Sequence, residues 1–142
     1  MRVLQCATTL LVWSLVAFMP ALAQVAAQSD QVSLVRQDSS DCTNSDVTAK
    51  DPSLIGGTAS VVRNPDGNTS VKVAITAKPN TTYRFFLKCG AQLGDIKTED
   101  EGQGVATFTF PTSSTGAAYA FEMSPEGAPA DSKYQSVKVN FQ

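Results

Sequence analysis

The sequence predicts an all-β domain, an antiparallel two-sheet sandwich of about eight strands, and three observations carry that expectation. Apolar and polar residues alternate with period two through most of the chain beyond residue 31. Clusters of Pro, Gly, Asn and Asp punctuate these runs at short spacing. No helical periodicity of useful length survives beyond the first apolar segment, and no internal repeat is present.

That first segment reads as an export signal over residues 1–23. Arg2 supplies the positive start, residues 10–19 form an apolar run, and Pro20 ends it. Ala21-Leu22-Ala23 then gives the small-x-small pattern that a signal peptidase reads, so cleavage is expected before Gln24. The run is shorter than the roughly 20 residues of a membrane span. The expected localisation is therefore secreted or periplasmic, with no transmembrane segment in the mature chain. A mobile leader over 24–31 and a single domain over 32–142 remain, a length that suits one core.

A first strand is expected over residues 32–36. The stretch 38–52, rich in Asp, Ser, Thr and Asn, reads as a long loop around Cys42. A strand over 58–63 leads into Asn64-Pro65-Asp66-Gly67, where Pro pre-sets a turn dihedral and Gly accepts a positive one. Residues 71–78 give the clearest alternation: Val71, Val73, Ile75 and Ala77 share one face, and Lys72, Thr76 and Lys78 share the other. After the turn at Pro79-Asn80, residues 82–89 put Tyr83, Phe85, Leu87 and Cys89 in one register, which points Cys89 inward. A short strand over 95–98 and an acidic turn, Glu99-Asp100-Glu101-Gly102, precede a strand over 103–110 with Ala106, Phe108 and Phe110 inward. Two more strands are expected, over 117–123 (Tyr119, Phe121 and Met123 inward) and over 134–141 (Val137, Val139 and Phe141 inward).

The architecture is loosely immunoglobulin-like. No Trp lies between Cys42 and Cys89, and Leu87 stands where the corner Tyr of an antibody-type domain would be, so the likeness is one of architecture alone. The turn Thr98-Glu99-Asp100-Glu101-Gly102 is similar to the acidic, glycine-containing hairpins of bacterial extracellular sandwich modules.

Absences bound the chemistry. The chain has no His, which removes the usual general base of hydrolases and the commonest metal ligand. Loss of the signal removes Cys6 and leaves Cys42 and Cys89, which an oxidising compartment would join as a disulfide, so no thiol nucleophile is expected. Gly56-Gly57 precede a strand, the wrong context for a phosphate loop. The formal charge is −2 with no basic run, which disfavours nucleic acid or an anionic membrane as partner. No catalytic residue, metal or cofactor is therefore assigned. Trp13, the one Trp, is lost with the signal, so a sugar platform would have to do without it.

Three features remain as candidates. Arg84, Phe86 and Lys88 share the outward register of one strand and form a candidate binding patch, an aromatic between two cations. Asp95, Glu99, Asp100 and Glu101 are carboxylates on one hairpin and support an alternative reading, a small carboxylate- or Ca²⁺-dependent enzyme or a Ca²⁺-binding module using residues 95–101. Against it, Lys97 stands where a first calcium ligand belongs, and consecutive acids point different ways. The sequons at Asn68 and Asn80 sit at turns and read as turn chemistry. The leading expectation is a secreted or periplasmic, non-catalytic module with a binding or structural role, its partner a protein or another cell-envelope component.

Overall fold

The structure is a computed structural model describing residues 26–141; the expected export signal and its cleavage point lie outside them. Among the described residues ten strands form: β1 Gln28–Arg36, β2 Ile55–Arg63, β3 Asn68–Thr76, β4 Thr82–Leu87, β5 Gln92–Lys97, β6 Gln103–Pro111, β7 Ala118–Tyr119, β8 Phe121–Pro125, β9 Tyr134–Ser136 and β10 Val139–Asn140. Eight make one antiparallel sheet in the order β5-β4-β8-β9-β1-β2-β3-β6, and β7 pairs with β10 in a small second sheet. The all-β expectation holds. The two-sheet sandwich gives way to a barrel-like sheet that is nearly closed, because eight strands join edge to edge in one sheet, with β9 pairing to β1.

The curl brings the two sheet edges, β5 and β6, side by side at their shared hairpin. Glu99 N–H donates to the Gln103 carbonyl at 2.8 Å, and Gly102 N–H donates back to Glu99 at 2.9 Å. Gly104 on β6 lies so near β5 that a Cβ there would stand 2.7 Å from the Lys97 carbonyl oxygen. The corner is locked by Thr98, a buried residue whose hydroxyl donates to the Lys78 carbonyl at 2.6 Å and accepts from Thr81 N–H at 2.9 Å.

Inside, the alternation sorts side chains as expected. Val71, Val73 and Ile75 of β3, Tyr83, Phe85 and Leu87 of β4, and Phe121 and Met123 of β8 are all buried. Phe85 stacks on Phe108 of β6 at 5.3 Å between centroids and on Phe121 at 5.1 Å, so three strands meet in one aromatic column. The turn before β3 works as its residues imply: Gly67 takes φ +86°, and Asn68 N–H donates to the Asp66 carboxylate at 2.9 Å.

Several boundaries differ from expectation, among them β3 and β5, which each begin three residues early, at Asn68 and Gln92. β1 begins at Gln28, within the expected leader, because backbone pairing with Ser60–Arg63 of β2 needs no apolar side chains. Gly56-Gly57 belong to β2, next to a bulge at Leu34/Val35 that lets both of those neighbours be buried. The two last expected strands each break in the middle: 117–123 splits at Ala120 and 134–141 splits after Ser136, so their outer pieces leave the main sheet and pair as β7 and β10. β4 stops at Leu87, and Cys89 turns out to solvent at φ +57°, which corrects its expected inward direction; the turn overrides the strand register.

Replacing Gly104 by Ala should lower stability by about 1–3 kcal/mol, the usual range for a group forced into a packed site. Urea melts of the variant measure this. A Gly104→Ala protein as stable as the parent would show that β5 and β6 are free to part.

Candidate functional site

The disulfide is present: Cys42 and Cys89 are bonded across 47 positions with Cα atoms 5.4 Å apart. It ties the 38–52 loop to the end of β4. The loop is less polar in its contacts than in its composition, since Val47 is buried. Asn44 is also buried, and its Nδ2 donates to the carbonyls of Phe121 (3.2 Å) and Ser136 (2.9 Å). These carbonyls belong to β8 and β9 at the point where their ladder ends, so one side-chain amide clamps both strands. Asp41 organises the approach. Its carboxylate accepts from the Ser45 hydroxyl, from Ser45 N–H, and from Thr43 N–H at 2.8 Å, which holds its carboxyl far below the usual range.

Arg84 and Phe86 lie on the outward face of β4, with Lys88 just beyond its end; all three are partly buried. Phe86 stands between Gln92 of β5 and Glu122 of β8, and Glu122 in turn stands opposite Gln135 of β9. Lys88 is engaged within the molecule: Nζ donates to Glu122 Oε2 at 2.6 Å and to Gln135 Oε1 at 2.8 Å, while Gln135 Nε2 donates to the same Glu122 oxygen at 3.0 Å. The side chains of Lys88 and Glu122 are 9% and 23% exposed, and Gln135 is 0% exposed. Burial raises the Glu122 pKa, but the hydrogen bonds from Lys88 and Gln135 outweigh it and the net shift is downward. Arg84 Nε is buried and, among the described residues, has no hydrogen-bond partner.

Two clefts lie at opposite ends of β4 and β8. One, about 680 Å³, opens where β5 and β6 diverge, beside the disulfide. Leu87, Leu93, Phe110 and Tyr119 supply its apolar wall, and Thr109 and Ser114 are among its polar groups. Burial pushes the Tyr119 hydroxyl up to about 12, and among the described residues that hydroxyl has no hydrogen-bond partner. The other cleft, about 600 Å³, is charged, with Arg36, Lys78, Glu126 and Asp131 around Tyr83 and Tyr134.

Asp95, Glu99, Asp100 and Glu101 are all exposed. Asp95 accepts from Gln92 Nε2 at 2.8 Å, away from the tip. Among the described residues no group of three or more His, Cys, Asp or Glu is placed to hold a metal ion. Asn80 sits in its turn at φ +50° and Asn68 opens β3, both in positions that turn chemistry explains.

Sequence reasoning missed Asn44, Glu122 and Gln135. Glu122 carries a signal, since it alternates with inward Phe121 and Met123 and so must face the side that holds Phe86. Asn44 carries none, because its partners lie 77 and 92 residues away. No protein-family model matches the chain, and no curated protein matches it.

The Glu122 contacts set a pH dependence. A carboxyl depressed in the folded state contributes stability that is complete above its unfolded pKa and is lost as pH falls through the folded value. Glu122→Gln should therefore melt below the parent near neutral pH, by the equivalent of about 1–2 kcal/mol, and the gap should close on acidification through the carboxyl range. Thermal melts across pH measure it; a gap that does not change with pH would contradict the assignment.

Proposed function

We propose that the chain is an exported, non-catalytic binding module whose ligand occupies the apolar cleft between β5 and β6. The observation that supports this reading best is the open seam itself. At the hairpin end the two edges touch, and at the disulfide end they part around Leu87, Leu93, Phe110 and Tyr119. Ligand sites favour such concave, mostly apolar places with a few polar groups, and barrel mouths are a common location. The rigid surroundings add to this, since the disulfide and the Asn44 clamp fix one wall before any ligand arrives.

The absence of His and the pairing of both mature cysteines support the non-catalytic part. The export signal and the disulfide together support a secreted or periplasmic setting. The Arg84, Phe86 and Lys88 face adjoins the cleft through Lys88, and we assign it to the same binding surface as a rim.

A thermal-melt screen against peptides, glycans and cell-envelope extracts identifies the ligand, since one at about 100 times its Kd adds about 2.7 kcal/mol to stability. Ala91→Trp places a bulky ring at the cleft mouth from an exposed position. It should abolish the ligand-induced shift and leave the unliganded melt unchanged. A shift that persists in Ala91→Trp would place the ligand elsewhere and overturn the assignment of the cleft.

A further inference from the structure

We propose that Lys88 and Gln135 react with each other inside the folded protein to form an isopeptide bond, with Glu122 carrying the proton between them. This inference does not depend on the cleft.

The reacting groups are already in contact. Lys88 Nζ lies 2.8 Å from Gln135 Oε1. A carbonyl bond is about 1.23 Å, so the Gln135 amide carbon lies no more than about 4 Å from Nζ. Reactive encounters need roughly 3–3.5 Å, a gap that a small rotation of either side chain closes. Glu122 Oε2 touches both nitrogens, at 2.6 Å from Nζ and 3.0 Å from Gln135 Nε2. One oxygen can therefore take a proton from the attacking amine and deliver it to the departing one, the geometry required of a general acid and base.

The setting favours amine over water as nucleophile. Gln135 is 0% exposed and the Lys88 side chain 9%. The ends of the triad are held from outside it: Cys89, next to Lys88, is bonded to Cys42, and Ser136, next to Gln135, is clamped by Asn44. β8 and β9 are neighbours in the sheet, so Glu122 and Gln135 are fixed by ladder pairing, and Lys88, in the turn after β4, is held where its N–H donates to the Ala120 carbonyl at 2.9 Å. An ion pair this far out of water gains little stability over apolar residues of the same size, so stability alone does not account for it.

The step balances without any added reactant. Lys88 Nζ passes one proton to Glu122, and its freed electron pair forms a bond to Gln135 Cδ. The carbonyl electrons move onto Oε1 and give a tetrahedral intermediate. They return as the Cδ–Nε2 bond breaks, Glu122 gives its proton to Nε2, and ammonia leaves. A second proton leaves Nζ as the product settles into a neutral secondary amide, and it balances the ammonium formed in water. Nothing is oxidised or reduced, and Glu122 ends as it began. The reaction happens once per molecule, so it is self-modification and not turnover. Because the starting state is an ion pair, the bond follows folding and accumulates as the folded protein ages. Its consequence is a covalent link from the turn after β4 to β9, across β8.

Mass spectrometry of the oxidised, folded protein tests this after prolonged incubation below its melting temperature. The intact chain should be lighter by one ammonia. Cyclisation of an N-terminal Gln24 would lose the same mass, so the deciding readout is the proteolytic digest. A single peptide pair joined through Lys88 and Gln135 is expected, and it should be absent from protein kept unfolded in denaturant. Lys88→Arg should abolish the link. Glu122→Gln should abolish or strongly slow it in protein shown by its melt and thiol count to be folded and disulfide-bonded. Recovery of only unlinked Lys88 and Gln135 peptides from the aged, folded parent would overturn the proposal. A link forming as fast in Glu122→Gln would overturn the role of Glu122.

Discussion

Phe108, Phe85 and Phe121 stack in one column that reaches from the edge strand β6, through β4, to β8. The rest of the fold depends on this column. A single antiparallel sheet with one apolar face is stable only if that face is covered, and this sheet covers it by curling until its far edges meet. Phe85 and Phe121, fully buried, each remove enough apolar surface from water to contribute about 1.5–3 kcal/mol; Phe108 is partly buried, and the stacked pairs add a smaller increment. Phe110 of β6 adds a second anchor, meeting Tyr119 and Phe121 edge-on. Gly94 of β5 belongs to the same device, because a Cβ there would come within 2.5 Å of the Phe108 ring. Glycines on the facing strands thus let the edges approach over the aromatic interior.

Closure is incomplete, and the incomplete end is where the polar architecture concentrates. The 38–52 loop is bonded to the turn after β4 and inserts Asn44 where β8 and β9 splay. A side-chain amide supplies hydrogen bonds that the backbone ladder no longer makes, which keeps two buried carbonyls paired. Among the described residues the Asn44 Oδ1 atom has no partner of its own, so the clamp is made at some cost in desolvation. The Lys88, Glu122 and Gln135 cluster lies between these two fastenings, and the apolar cleft opens on their other side. The proposed binding surface, the proposed crosslink and the disulfide tether thus share one end of the molecule.

Much of the core was legible in the sequence because period two is a local property. Val71, Val73 and Ile75, or Tyr83, Phe85 and Leu87, declare their face without reference to any partner. The turn at residues 64–67 was legible for the same reason. Closure was not, since alternation fixes which side is buried but not whether one sheet curls or two sheets stack. The breaks at Ala120 and after Ser136 were hidden because the apolar register continues through them: Tyr119, Phe121 and Val139 are buried on both sides of the breaks. Cys89 misled because its register is that of Leu87, while its backbone has already entered a turn. The candidate patch at Arg84, Phe86 and Lys88 was found as a face, but the partners that occupy Lys88 come from strands distant in sequence.

The central claim is that β5 and β6 meet across the aromatic column. Solution NMR tests it most directly, through the α protons of Gly94. Closure places them against the face or edge of the Phe108 ring. The account predicts nuclear Overhauser contacts from these protons to the Phe108 ring, together with a large ring-current displacement of their shifts. Gly94 α protons at ordinary shifts, with no contact to Phe108, would mean that the two edges stay apart and that the sheet does not close.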